Sequence, residues 1–228
     1  MLHDNLSVNQ KGNLTINNFD TVELAEKYGT PLYVIDEDAV ENNCLRYKRL
    51  IEKYFGEGSM PLFASKALSY IDIYRVVNRA GIGIDVVSGG ELFTAKAAGF
   101  PLEKAYFHGN NKTDKDLADG LSYGVGCFVA DNREELVSLN KLAGEMCKRA
   151  KVILRLSPGI DPHTHKAVST GAVDSKFGTA IATGQAFCAI AAYWRFLNGS
   201  SALYTPTNAK PPIYEPIEAH SKPTSSNT

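Results

Sequence analysis

The sequence predicts an α/β fold of parallel strands alternating with helices, followed by a C-terminal tail of different character. Three observations carry this. From "TPLYVIDEDAV" onward, short β-branched or aromatic runs alternate with longer stretches that place apolar residues at helical spacing, the βα rhythm of a parallel sheet or barrel. Polar residues recur at the C-terminal ends of the strand candidates: Lys66, Asp85, His108, Asp131 and Arg155. The rhythm then stops abruptly near residue 187. A barrel and a doubly wound open sheet both assemble their sites at strand C-termini, so this pattern alone leaves the two open.

Taken in order, the strand candidates are "PLYVID" (31–36), "MPLFASK" (60–66), "IGIDVVS" (82–88), "KAYFHG" (104–109), "GCFVAD" (126–131) and "VILRLSP" (152–158). The spacing predicts helices over 37–54, 69–80, 89–98, 113–122 and 132–148. "FCAIAAYWRFL" (187–197) can continue a helix. The residues after it are rich in Pro, Ser, Thr and Asn without periodicity, and are expected to be disordered. The domain expectation is therefore a globular unit over 1–187 and a tail over 188–228.

The 228 residues are 44% hydrophobic and 21% charged, with a net charge of -1. With 24 basic against 25 acidic residues there is no excess to hold a polyanion, so nucleic acid is not an expected partner. Cys44, Cys127, Cys147 and Cys188 are scattered and form no C-x-x-C pair, which argues against a zinc knuckle or a disulfide scaffold and fits a reducing cytoplasm. "MLHDNLSVNQ" lacks the pattern of a secretory signal, and no run has the length of a membrane-spanning helix. A cytoplasmic protein with no membrane partner is expected.

Among the motifs, "PLFASKALS" (61–69) sets Lys66 among apolar and small neighbours. An amine at such a strand end can act as a nucleophile and form a Schiff base with an aldehyde. Read locally, an exposed strand-end lysine explains the letters better, because lysine is seldom fully buried. "DVVSGGEL" (85–92) runs through two glycines into a helix, a geometry that offers backbone N–H groups to an anion; it reads equally as a tight turn with Ser88 as N-cap and Glu91 in the first turn. It is not a dinucleotide fingerprint, since "GIG" (81–83) precedes the strand. "FHGNNKT" (107–113) gathers His108, Asn110, Asn111 and Lys112 in one loop as donors for a carboxylate or phosphate; a solvated loop with Thr113 as helix cap explains the letters as well. "PGIDPHTHKAVSTGAVDSKFG" (158–178) is a long polar loop of the kind that can serve as a lid. His163 and His165 have a metal-like spacing but no further ligand nearby, so no metal is expected.

Read together, "GTPLYVID", "FASKALS", "GIGIDVVSGGELFTAKAAGFP", "FHGNNKT", "LRLSPGIDPHTHKAVSTG" and "DSKFG", in that order over about residues 14–187, resemble the N-terminal barrel of the diaminopimelate decarboxylases, within the alanine-racemase-like (fold type III) pyridoxal phosphate enzymes. The resemblance implies a pyridoxal-phosphate-binding (β/α)8 TIM-type barrel, incomplete here. About five of the roughly eight expected βα units are recognisable. Lys66 would hold pyridoxal 5'-phosphate, Asp85 and Arg155 would line the cofactor pocket, and His108 would border it. The implied reaction is that of a carbon–carbon lyase: loss of the carboxylate at the D-centre of meso-diaminopimelate, giving L-lysine and carbon dioxide in lysine biosynthesis. The family's homodimer draws on a C-terminal β-domain.

That domain, the later barrel strands, the ring-stacking histidine, the glycine-rich phosphate loop and the glutamate that partners the pyridine nitrogen are not recognisable after Phe187. The expectation is a family member interrupted near residue 187, impaired in activity, with uncovered apolar surface that favours aggregation or a partner. The alternatives are a non-catalytic single-barrel protein that binds pyridoxal phosphate and an inactive fragment.

Overall fold

The computed structural model describes residues 5–157, 159 and 177–180. The histidines of the 158–178 loop and the tail over 188–228 lie outside the described residues. The chain opens with an antiparallel meander of β1 (Leu6–Val8), β2 (Leu14–Ile16) and β3 (Phe19–Asp20). The β2–β3 turn is built on Asn17 and Asn18, both at positive φ, a conformation that asparagine tolerates well. Asp20 then caps α1 (Thr21–Tyr28), its carboxylate accepting from the N–H groups of Val22 and Glu23.

After α2 (Glu37–Phe55) comes a five-stranded parallel sheet: β4 (Leu62–Ala64), β5 (Gly83–Val86), β6 (Ala105–Phe107), β7 (Cys127–Ala130) and β8 (Val152–Leu154). Between these strands lie α3 (Ile71–Ala80), α4 (Gly89–Ala97), α5 (Asp114–Tyr123) and α6 (Arg133–Glu145). The short strands β9 (Leu156–Ser157) and β10 (Thr179–Ala180) pair in parallel beyond β8. The sheet order β4-β5-β6-β7-β8 follows the chain without reversal. A doubly wound sheet must reverse its order at a switch point, whereas a barrel adds each strand beside the last. This resolves the ambiguity left by the sequence: the sheet is a sector of a βα barrel.

Strand parity fixes what faces where. Ile84, Val86, Ala105 and Phe107 are fully buried beneath the helices, and the ring of Phe107 meets that of Phe128 at 6.1 Å. Gly120 lets α5 come close, since a Cβ there would stand 2.9 Å from the Phe128 ring. Alternate residues point to the other face of the sheet, and laterally paired residues share a face.

One expected strand is absent. Residues 31–36 are extended but belong to no sheet, and Tyr33 is 96% exposed. The β-propensity is present, but β4 has β5 on one side and no described segment on the other, so 31–36 finds no ladder. The N-terminal meander was not anticipated, although its Asn-Asn turn is a hairpin signal. Among the described residues, no helix is long and apolar enough to cross a membrane.

Candidate active site

Asp85, the third residue of β5, is the register partner of Ala64 in β4 and of Tyr106 in β6. It therefore points away from Ile84 and Val86, to the face opposite the helices. His108 follows β6 with the parity of Tyr106 and extends the ladder, its N–H donating to Val86 O at 2.8 Å. Cys127 pairs with Tyr106, and Val129 with Ile153, so Asp131 after β7 and Arg155 after β8 share that face. Lys66 lies two residues beyond Ala64, in one 3₁₀ turn (Ser65–Ala67) closed by Leu68 N–H to Ser65 O at 3.1 Å. The period-2 pattern thus brings Lys66, Asp85, His108 and Arg155 to the C-terminal ends of neighbouring strands on one side of the sheet.

Their electrostatics follow from partial burial. Burial pushes the Asp85 carboxyl above its ordinary value, opposed by the charges of His108, Lys66 and Arg155. Its Oδ1 is buried without a hydrogen-bond donor among the described residues, and His108 Nε2 stands 3.8 Å away, beyond hydrogen-bond reach. Burial also holds the His108 imidazole below its ordinary value, against the attraction of Asp85. Both groups lean to their neutral forms. Glu91, whose carboxylate accepts from Val87 N–H at 2.7 Å, is likewise raised by burial. Lys66 is exposed, and its amine has no hydrogen-bond or ion-pair partner among the described residues.

The two central shifts pull stability in opposite directions with pH. The folded chain holds His108 below its unfolded value near 6.5, so His108 contributes stability above that value that is lost as pH falls through the folded pKa. Asp85, raised above 3.8, contributes stability below 3.8 that is lost as pH rises through its folded pKa. His108→Asn is accordingly expected to shrink the drop in melting temperature below pH 6.5. A calorimetric series over pH 4–8 checks this, and an unchanged profile would contradict the burial of His108.

Three further groups frame the site. Asp131, noted in the sequence only as a strand-end residue, is 4% exposed and faces Arg155 Nη1 at 3.4 Å and Gly178 N–H at 2.9 Å. Arg155 also lies over the Phe177 ring, 4.3 Å from its centroid. Lys112, which the sequence offers only as one donor of the 107–113 loop, forms a buried ion pair at 2.9 Å with Glu135, which sequence reasoning missed. A signal existed: in "SGGE" and "NREE" the acid stands three residues after the N-cap, and in both turns it folds back to accept the N–H of the residue before the cap.

The arrangement places an amine, an unmatched buried carboxyl and a guanidinium at strand C-termini on one face of the sheet. Residues 38–195 match the pyridoxal-binding domain of the pyridoxal-dependent decarboxylases, and the chain belongs to that family. It is 42% identical over 184 residues to the diaminopimelate decarboxylase of Bacillus methanolicus, covering 81% of this chain and 42% of that protein, and equally so to that of Bacillus subtilis. The crystal structure of the Methanocaldococcus jannaschii diaminopimelate decarboxylase with L-lysine superposes with a TM-score of 0.72 at 37% identity, covering 84% of this chain and 45% of that one. The lysine/ornithine decarboxylase of Vibrio vulnificus, at 21% identity and a TM-score of 0.59, shares the fold. The chain spans about two-fifths of the length of the curated relatives it matches.

The residues present fit pyridoxal phosphate on the side of its aldehyde. Among the described residues, Lys66 offers an amine without a competing partner, Asp85 an unmatched acceptor, and Arg155 a positive charge held by Asp131.

Proposed function

We propose that this chain supplies the aldehyde-binding part of a diaminopimelate decarboxylase site, with residues 1–187 as its cofactor domain. The observation that carries this reading is the exposed Lys66 amine, whose charge acts on Asp85, together with the orphaned Asp85 Oδ1 at the same strand ends. The 42% identity to decarboxylases of that name, against 21% to the lysine/ornithine enzyme, supports the substrate, meso-diaminopimelate, and the products, L-lysine and carbon dioxide.

Pyridoxal phosphate, when bound, supplies a conjugated ring that takes up the electron pair left behind as carbon dioxide departs. The chain's own groups do the rest. Lys66 Nζ would hold the cofactor at its aldehyde carbon and give way to the incoming substrate amine. Asp85 offers a carboxyl for the polar edge of the ring, raised above its ordinary value by burial and opposed by the charges of His108, Lys66 and Arg155. His108, leaning neutral, borders the ring without adding charge. Arg155, fixed by Asp131 and Phe177, gives a constant positive field for an anionic group.

The test is to add pyridoxal phosphate to the purified 228-residue chain, record the visible spectrum, reduce with borohydride and map the adduct by peptide mass. Label concentrated on Lys66 is expected. Label spread over surface lysines would overturn the assignment. The second reading is a cofactor-binding protein without turnover. An assay for L-lysine formation from meso-diaminopimelate separates the two.

A further inference from the structure

We infer that the Lys112–Glu135 ion pair is a positioning device that sets the loop of His108 and the side chain of Arg155 at the strand-end site. The Lys112 side chain is 1% exposed and that of Glu135 4%. An ammonium has three N–H donors, and Lys112 Nζ has three acceptors within reach: Gly109 O at 2.6 Å, Val129 O at 3.0 Å and Glu135 Oε1 at 2.9 Å. These belong to three different segments: the loop that carries His108, the end of β7 and the first turn of α6. Glu135 Oε1 accepts no hydrogen bond among the described residues, so the charge of the lysine 2.9 Å away is its whole compensation.

The chain of contacts continues through the second carboxylate oxygen. Glu135 Oε2 accepts the N–H of Asp131 at 3.1 Å, which fixes the backbone from which the Asp131 carboxylate reaches Arg155 and the Gly178 N–H. The Asp131 carbonyl takes the Thr179 hydroxyl at 3.2 Å. On the other side, Gly109 sits at φ +110 with Val87 O only 2.7 Å from where a Cβ would stand, so the His108 loop is pressed onto the end of β5 at the point where Lys112 pulls it in. One lysine thereby ties together the ends of β6 and β7, and through Asp131 the residues after β8. Stability alone does not call for a buried pair, because apolar residues of similar volume commonly serve as well or better. What apolar residues cannot reproduce is a fixed set of directional bonds to two carbonyls and, through the carboxylate, to an amide.

The inference deepens the functional reading and rests on it for the claim that His108 and Arg155 face the cofactor. Its test therefore has a readout that needs no cofactor. In the full chain, Lys112→Met combined with Glu135→Gln removes both charges together while leaving Asp131 N–H an acceptor. Amide exchange resolved by NMR is expected to quicken by about tenfold or more at His108 and Gly178, with the helix cores unchanged. Pyridoxal phosphate affinity, followed by absorbance, is expected to fall by about tenfold or more. Glu135→Gln alone keeps the fold-bearing lysine and is expected to give a smaller change at Gly178. Wild-type exchange at both amides in the double variant, or at Gly178 in Glu135→Gln, would overturn the inference. If the wild-type chain takes up no cofactor while these amides still respond, the functional reading fails and the positioning role stands.

Discussion

Lys66→Ala is expected to leave the melting temperature within about 2 °C of the parent chain and to abolish specific borohydride-trapped labelling by pyridoxal phosphate. Both halves follow from the same environment. The lysine lies in an exposed 3₁₀ turn, and its amine contacts no described partner, so truncation removes neither a buried contact nor a satisfied hydrogen bond. Surface changes of that kind usually stay within about ±0.5 kcal/mol. The remaining link is the charge of Lys66, which lowers the Asp85 carboxyl; without it Asp85 leans further to its neutral form, which costs the fold little. Function depends on the same amine entirely, because no other lysine described at these strand ends is free: Lys112 is committed to three acceptors. Calorimetry and peptide mapping on the same preparation decide the matter. A large loss of stability would mean that Lys66 is structural, and persistent specific labelling would move the reactive amine elsewhere.

Read locally, Lys66 is an exposed strand-end lysine, as the structure has it, and only the resemblance singles it out as the reactive amine. His108 and Arg155 each follow a hydrophobic run, Asp85 interrupts one, and the period of two then puts all three on one face. The helices over 37–55, 71–80 and 133–145 follow directly from spacing and caps, since Asp36 and Asn132 accept the first free N–H groups. What the letters do not reveal is pairing across distance. Residues 31–36 carry strand propensity, but a strand exists only beside another. Lys112 and Glu135 are ordinary polar letters of a loop and a helix start; their burial arises only when α5 and α6 close over the ends of β6 and β7. For Glu91 and Glu135 the letters carry a signal for the fold-back, an acid three residues after the N-cap, but not for the burial that follows from it.

The largest stability effect is expected from Lys112→Ala, a loss of about 3–5 kcal/mol, because breaking a buried pair leaves one charge uncompensated. Glu135 Oε1 would then be buried with neither charge partner nor donor among the described residues, and the carbonyls of Gly109 and Val129 would each lose the same ammonium. A whole domain is stable by only about 5–15 kcal/mol, so this one truncation approaches the margin for folding. The contrast with a paired replacement gives the prediction its edge. Removing Glu135 in the same chain, as Lys112→Met with Glu135→Leu, deletes the orphaned carboxylate and refills the space with apolar atoms. That double variant is expected to recover most of the loss in a denaturant titration while remaining impaired at the site, since Asp131 N–H then has no acceptor. Equal destabilisation by the single and the double variant would mean that the cost lies in lost packing and not in a stranded charge. Recovery of cofactor affinity along with stability would detach the pair from the site and reduce it to a strut of the barrel wall.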